Sequence, residues 1–418
     1  MMFWVALILL LAGGYWALRR MGTVANPVTF FSFGLAAPLF ARAIFDFLEF
    51  DWNEIVGLKV ITPVAFQNYE TVVVIVLGGW VAFCLPWVLM PPNRLIEYSL
   101  PELDKQTSVI TTILTASILL MLIIYASSEL GYLPIWQMLN GILDVQVNDI
   151  SLFNLPMGIM AVIVALTIVL TLDALHNLMS QRLKLTLIYK IAAISLLFFF
   201  SIWNGKRQLM LFAIYVYVVG YIYRWDKIQN FRNNRYSPYF LLPSMFLVLV
   251  VGFVLIDQIR YAENSTRPLS LLAYFSWPAS NLLSISENIG YGNYRDHPFD
   301  ALPFVLTELL PSRFGGGDNI VHIRPLLHEP TSPSGFFAYW WLDGGLPLVL
   351  LGGLLAGTLA RWGHDLRLRS YAGWQFYMLV LWACATSGIY SHFIALVYFW
   401  LPLSLILGRA LFRRLFNA

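Results

Sequence analysis

The side chains that could do chemistry are concentrated between residues 260 and 345. Five arginines fall there, Arg260, Arg267, Arg295, Arg313 and Arg324, and no lysine accompanies them before residue 335. His297, His322 and His328 are interleaved with Glu263, Glu308, Glu329 and Asp343, and a glycine triplet stands at 315–317. Guanidinium groups suit bidentate phosphate recognition, so the cluster points to an anion, and on a membrane surface that means a lipid phosphate or pyrophosphate. The competing reading is a long loop whose arginines pair with its own acids. His322, His328 and Glu329 do not have a metal-ligand spacing, no cysteine assists them, and neighbouring arginines would repel a cation, so no metal is expected. No serine sits in a Gly-x-Ser-x-Gly frame. What remains is general-base chemistry by a histidine or glutamate beside arginines that hold a leaving phosphate. Among the candidates His322, His328, Glu329 and Glu308, His322 is favoured. It lies two residues from Arg324, on one face of an extended segment, and a neutral imidazole can accept a proton near pH 7.

The elements around this stretch are apolar. The 418 residues are 59% hydrophobic and 12% charged, with mean hydropathy +0.70. Apolar segments fall near 2–18, 26–48, 69–90, 108–126, 155–175, 187–203, 208–223, 239–258, 335–360, 371–387 and 391–408. The fold class expected is therefore an all-α polytopic membrane protein with about 11 transmembrane helices and a large periplasmic loop before the ninth span. The chain divides into 1–258 (spans one to eight), 259–334 (the loop carrying the site) and 335–418 (spans nine to eleven). Lys and Arg cluster at 19–20, 91–107, 176–190, 224–238, 361–370 and the C-terminal tail, which places those segments inside, the N-terminus outside and the C-terminus inside. The first apolar run lacks a basic region before it and reads as a retained anchor. Cys84 and Cys384 fall within spans and are not expected to form a disulfide. The absence of a GKS/GKT phosphate loop argues against a primary pump.

Smaller signals lie within and beside the spans. Lys206 and Arg207 occupy a tight outer turn, and Arg207 reads as part of the anion site or as an interfacial anchor. Arg42 and Asp46 stand one helical turn apart in the second span and are expected to neutralise each other, although intramembrane charge is a functional candidate. Asp173 and His176 read as the cap of the fifth span, and His364 lies on the cytoplasmic side away from any catalysis. His392 either packs or lines a cavity. Phe336, Phe337, Tyr339, Trp340 and Trp341 form a dense aromatic group that either belongs to an interfacial belt or contacts sugar rings and isoprenoid chains.

Several of these features carry a family resemblance. The turn Asn204-Gly205-Lys206-Arg207-Gln208, Arg260 just after a span, the large loop before a late span, and Thr331-Ser332-Pro333-Ser334-Gly335 leading to Tyr339 and Asp343-Gly344-Gly345 resemble the Wzy-type O-antigen, or oligosaccharide repeat-unit, polymerases. The likeness is best over residues 190–360, and the related O-antigen ligases share the plan. Family members often keep both termini inside, unlike the odd span count here. The resemblance implies a metal-independent glycosyltransferase of polysaccharide and lipopolysaccharide biosynthesis, multi-pass in the bacterial inner membrane, that needs no cofactor. Its substrates would be undecaprenyl-pyrophosphate-linked oligosaccharides, held by Arg207, Arg260, Arg267, Arg313, Arg324, Tyr339 and Asp343. Expected partners are membrane lipids and a chain-length regulator protein, and not nucleic acid. The alternatives are an O-antigen ligase and a lipid-linked oligosaccharide flippase or transporter.

Overall fold

The computed structural model describes residues 2–21, 26–47, 69–90, 157–179, 270–288, 335–390, 392–394 and 396–416, with isolated helical positions between 113 and 120 and between 211 and 219. These residues are helical, with turns and no strand among them. The helices are α1 (Met2–Met21), α2 (Pro27–Phe47), α3 (Tyr69–Leu89), α4 (Met157–Met179), α5 (Ser270–Asn288), α6 (Phe336–Leu366), α7 (Tyr371–Ala385) and α8 (Leu401–Phe416). Among the described residues, four segments are long and apolar enough to cross a membrane: Met2–Met21, Pro27–Ile44, Tyr69–Leu89 and Gly344–Leu366. The expected spans at 187–203 and 239–258 lie outside the described residues, and those at 108–126 and 208–223 are described only at isolated positions.

The chain forms two compact units. The first comprises Met1–Ser99 with Leu272–Trp400, and the second Leu100–Leu271 with Leu401–Ala418. In the first unit, α3 and α6 run parallel and close. Leu346 meets Gly78, Gly353 meets the Gly79 carbonyl, Gly357 meets the Phe83 backbone, and Arg361 Nε donates to the Met90 carbonyl at 2.9 Å. Small residues allow this approach because, between helices in lipid, attraction comes from backbone-close packing rather than from hydrophobic transfer. Phe31 of α2 stacks on Phe83 of α3 with centroids 3.8 Å apart and anchors the middle of the unit. Outward-facing Ile8, Val74, Val81 and Leu355 are exposed, as lipid-facing positions require.

The ninth expected span is not one straight helix. Gly344 is extended, and Gly345 has φ 65° and ψ −152°, a region essentially reserved for glycine. The break turns the chain back on itself: the Trp340 ring lies against Gly352, twelve positions further on. In a straight helix those residues would be separated by about 18 Å. The spanning part is therefore Gly344–Leu366, and Phe336–Asp343 is a re-entrant half-helix whose Phe337 ring abuts Gly79, halfway along α3.

A second interruption meets the first. Ser370 caps α7 by accepting from Gly373 N at 3.0 Å, and the helix has 15 residues, giving a length of about 22 Å, short of a bilayer core. It ends in the turn at Thr386–Tyr390, where Ser387 O accepts from Phe336 N at 2.8 Å. Gly388 packs against the Gly34 carbonyl and Pro38 of α2, too close for any side chain. The last expected span, 391–408, is likewise broken into a 3-10 turn at His392–Ile394, a π turn at Leu396–Trp400, and then α8.

In the second unit α4 packs on α8. Arg409 grips both carboxylate oxygens of Asp173, at 2.9 and 3.1 Å, and Asp173 is 1% exposed. Asp173 is thus a buried ion-pair partner rather than the helix cap expected from sequence.

Candidate functional site

A polar network begins at the end of α2. Arg42, 4% exposed, pairs with Asp46 one turn later at 2.7 Å, the mutual neutralisation that their spacing predicts. Its Nη1 also donates to Ser280 Oγ at 3.0 Å. Ser280 donates its single proton to the Ser276 carbonyl at 3.1 Å, so its lone pairs are turned toward the guanidinium. Ser276, Ser280 and Ser284, spaced four apart, with Asn281 beside them, give α5 a fully buried polar stripe. This helix comes from the first half of the stretch expected as loop, and the hydrogen bond brings it against Arg42 of the second expected span. The Tyr69 hydroxyl, from the first turn of α3, hydrogen-bonds with both Arg42 and Asp46.

Beside this network opens a cleft of about 500 Å³ between the start of α1, the end of α2 and the start of α3. Its lining includes Phe3, Trp4, Asp46, Phe47, Tyr69 and Glu70. Phe3 meets Tyr69 edge-on with centroids 5.0 Å apart, and Trp4 meets Phe40 likewise at 6.2 Å. The walls are aromatic, and the polar lining consists of two carboxylates and a phenol.

A second polar point lies at the interruption after α7. His392 is 1% exposed and is ringed by Trp382, Tyr390 and Tyr398, with centroids 5.0–5.4 Å away. Thr386 Oγ1 gives its proton to the Trp382 carbonyl at 2.9 Å, so the 2.8 Å contact with His392 Nδ1 requires Nδ1 to carry the proton and donate. Nε2 is buried and has no hydrogen-bond partner among the described residues. His364, also buried, meets the rings of Trp87 and Tyr377 edge-on and serves packing.

Of the residues singled out from sequence, Arg207, Arg260, Arg267, Arg295, Arg313, Arg324, His297, His322, His328 and Glu329 lie outside the described residues. Tyr339 sits half-buried on the re-entrant half-helix, and Asp343 is that half-helix's last residue before the break. Sequence reading missed Ser280, Tyr69 and Glu70. The serine spacing in 276–284 was a usable signal. The nearness of Glu70 to Asp46 was not, because 23 residues separate them. No protein-family model matches the chain, and no curated protein or solved structure matches it.

Proposed function

We propose that this chain is a metal-independent glycosyltransferase that polymerises undecaprenyl-pyrophosphate-linked oligosaccharide repeat units at the periplasmic face of the bacterial inner membrane. The observation that carries this reading is the Arg42–Ser280 hydrogen bond. It seats α5, which follows Arg267 in the chain, against the end of α2 beside which the cleft opens. An enzyme acting on two lipid-linked glycans needs that arrangement, with polar machinery set at the ends of helices that lipid tails can reach from the side.

In this reading a terminal sugar hydroxyl of one lipid-linked repeat attacks the anomeric carbon of the other chain, and the carbon–pyrophosphate oxygen bond breaks. Arg207, Arg260, Arg267, Arg313 and Arg324 stabilise the charge that builds on the departing pyrophosphate, each contributing a few kcal/mol by analogy with oxyanion donors, about 3 kcal/mol. His322 takes the hydroxyl proton, with His328 and Glu329 as the other candidates, while Tyr339 and Asp343 contact glycan.

The broken α6 favours one second reading, a transporter of lipid-linked sugars, since interrupted helices line transport sites. The surface glycan of a deletion strain separates the two. Capping with a single repeat identifies a polymerase, whereas complete loss points to a flippase or an O-antigen ligase. With purified lipid-linked repeats, His322→Ala should cut turnover by about 10²–10⁴ with little change in substrate binding. Arg207→Ala, Arg260→Ala and Arg324→Ala should abolish polymer at normal membrane abundance, and lysine should not replace them.

A further inference from the structure

We infer that the cleft between α1, α2 and α3 seats the uncharged sugar end of the substrate and not its pyrophosphate; the inference rests on the polymerase reading for the source of that sugar. At about 500 Å³ the cleft falls within the range of small-molecule sites and has room for a short oligosaccharide. Asp46, Glu70 and Tyr69 line it with oxygen acceptors, which suit ligands rich in hydroxyl donors.

Charge decides against an anion. Among the described residues no lysine, arginine or histidine lines the cleft, and Arg42 behind it is engaged with Asp46 and Ser280. Arg42 balances Asp46, so the described lining keeps the uncompensated negative charge of Glu70, which would repel a pyrophosphate placed there. A sugar meets no such penalty. Its hydroxyls donate to the carboxylates, and its C–H faces pack on Trp4 and Tyr69.

The two carboxylates differ in freedom. Arg42 and Tyr69 fix the position of Asp46, so its oxygens are preorganised. Glu70 is exposed on the rim and has no hydrogen-bond or ion-pair partner among the described residues, leaving both its oxygens for a ligand. Trp4 is 40% exposed and presents its ring to the same opening.

The test uses the full chain in lipid nanodiscs and a free oligosaccharide of one repeat unit, released from the host's own polymer and lacking lipid and pyrophosphate. Saturation-transfer NMR titrations compare wild type with Trp4→Leu and Glu70→Gln, with thermal midpoints as a folding control. Both positions are exposed, so both variants should fold. The expected result is at least tenfold weaker binding in one or both variants at an unchanged midpoint, with no competition from inorganic pyrophosphate. Unchanged affinity in both variants, no binding to wild type, or displacement by pyrophosphate overturns the inference. The two readings fail separately. Wild-type protein that binds the oligosaccharide through Trp4 or Glu70 yet makes no polymer from lipid-linked repeats sinks the polymerase reading alone. Polymer formation with binding indifferent to both variants sinks the cleft assignment alone.

Discussion

Trp340 packs against Gly352, twelve residues further along the same helix, because the backbone reverses at Gly344 and Gly345. Gly352 has no room for a Cβ beside the indole, so the two halves of α6 depend on glycine at both the turn and the contact. The reversal carries Phe336 and Phe337 into the middle of the first unit, where Phe336 meets Phe393 and Phe337 meets Phe31, with centroids 5.6 and 5.9 Å apart.

Gly345→Ala should destabilise the protein by about 1–3 kcal/mol, since an L side chain is strained at that backbone conformation. Gly344→Ala is a different case, because its extended φ is open to any residue and only the Leu348 side chain must move. Thermal unfolding in detergent should therefore rank Gly345→Ala as the more damaging. Equal midpoints would mean that the turn is not as described.

Gly357→Leu should prevent α3 and α6 from closing, because its side chain would drive into the Phe83 backbone, which cannot swing aside. Gly408→Leu in α8 is the matched control, as nothing lies within 4 Å of a Cβ there. The expected outcome is loss of monodisperse protein on size exclusion for the first and a wild-type profile for the second.

Ser280→Ala removes an acceptor from a buried guanidinium and should cost about 1–3 kcal/mol. Arg42→Lys keeps the charge but cannot reach Asp46 and Ser280 together, so it should lower stability by a similar amount and reduce polymer output with it. A stability loss without any change in the glycan ladder would detach this network from function.

Asp173 and Arg409 should be strongly coupled. Asp173→Asn or Arg409→Gln alone leaves a charge with its partner gone in a buried setting, costing about 3–5 kcal/mol, while the double variant should recover part of that. A double-mutant cycle on thermal midpoints measures the coupling, and simple additivity would show the pair to be inert.

Hydropathy alone located the starts of α1, α2, α3, α4 and α7 to within two residues, since a run of apolar side chains needs no partner to declare that it avoids water. The i, i+4 spacing likewise announced the Arg42–Asp46 pair, which is local to one helix. Where tertiary contacts take over, the pattern misleads. Residues 335–360 and 391–408 read as uninterrupted spans because hydropathy averages over a window and is blind to φ; the interruptions exist because Phe336 finds an acceptor at Ser387 and Trp340 finds room at Gly352. Residues 270–288 read as loop because their serines look like solvent-facing polar positions in sequence, whereas Ser280 meets Arg42, 238 positions away. Separation along the chain, though shorter, hid the cleft as well. Its aromatic and acidic residues come from three helices, and only packing makes them neighbours, because side-chain chemistry is written in the sequence but proximity is not.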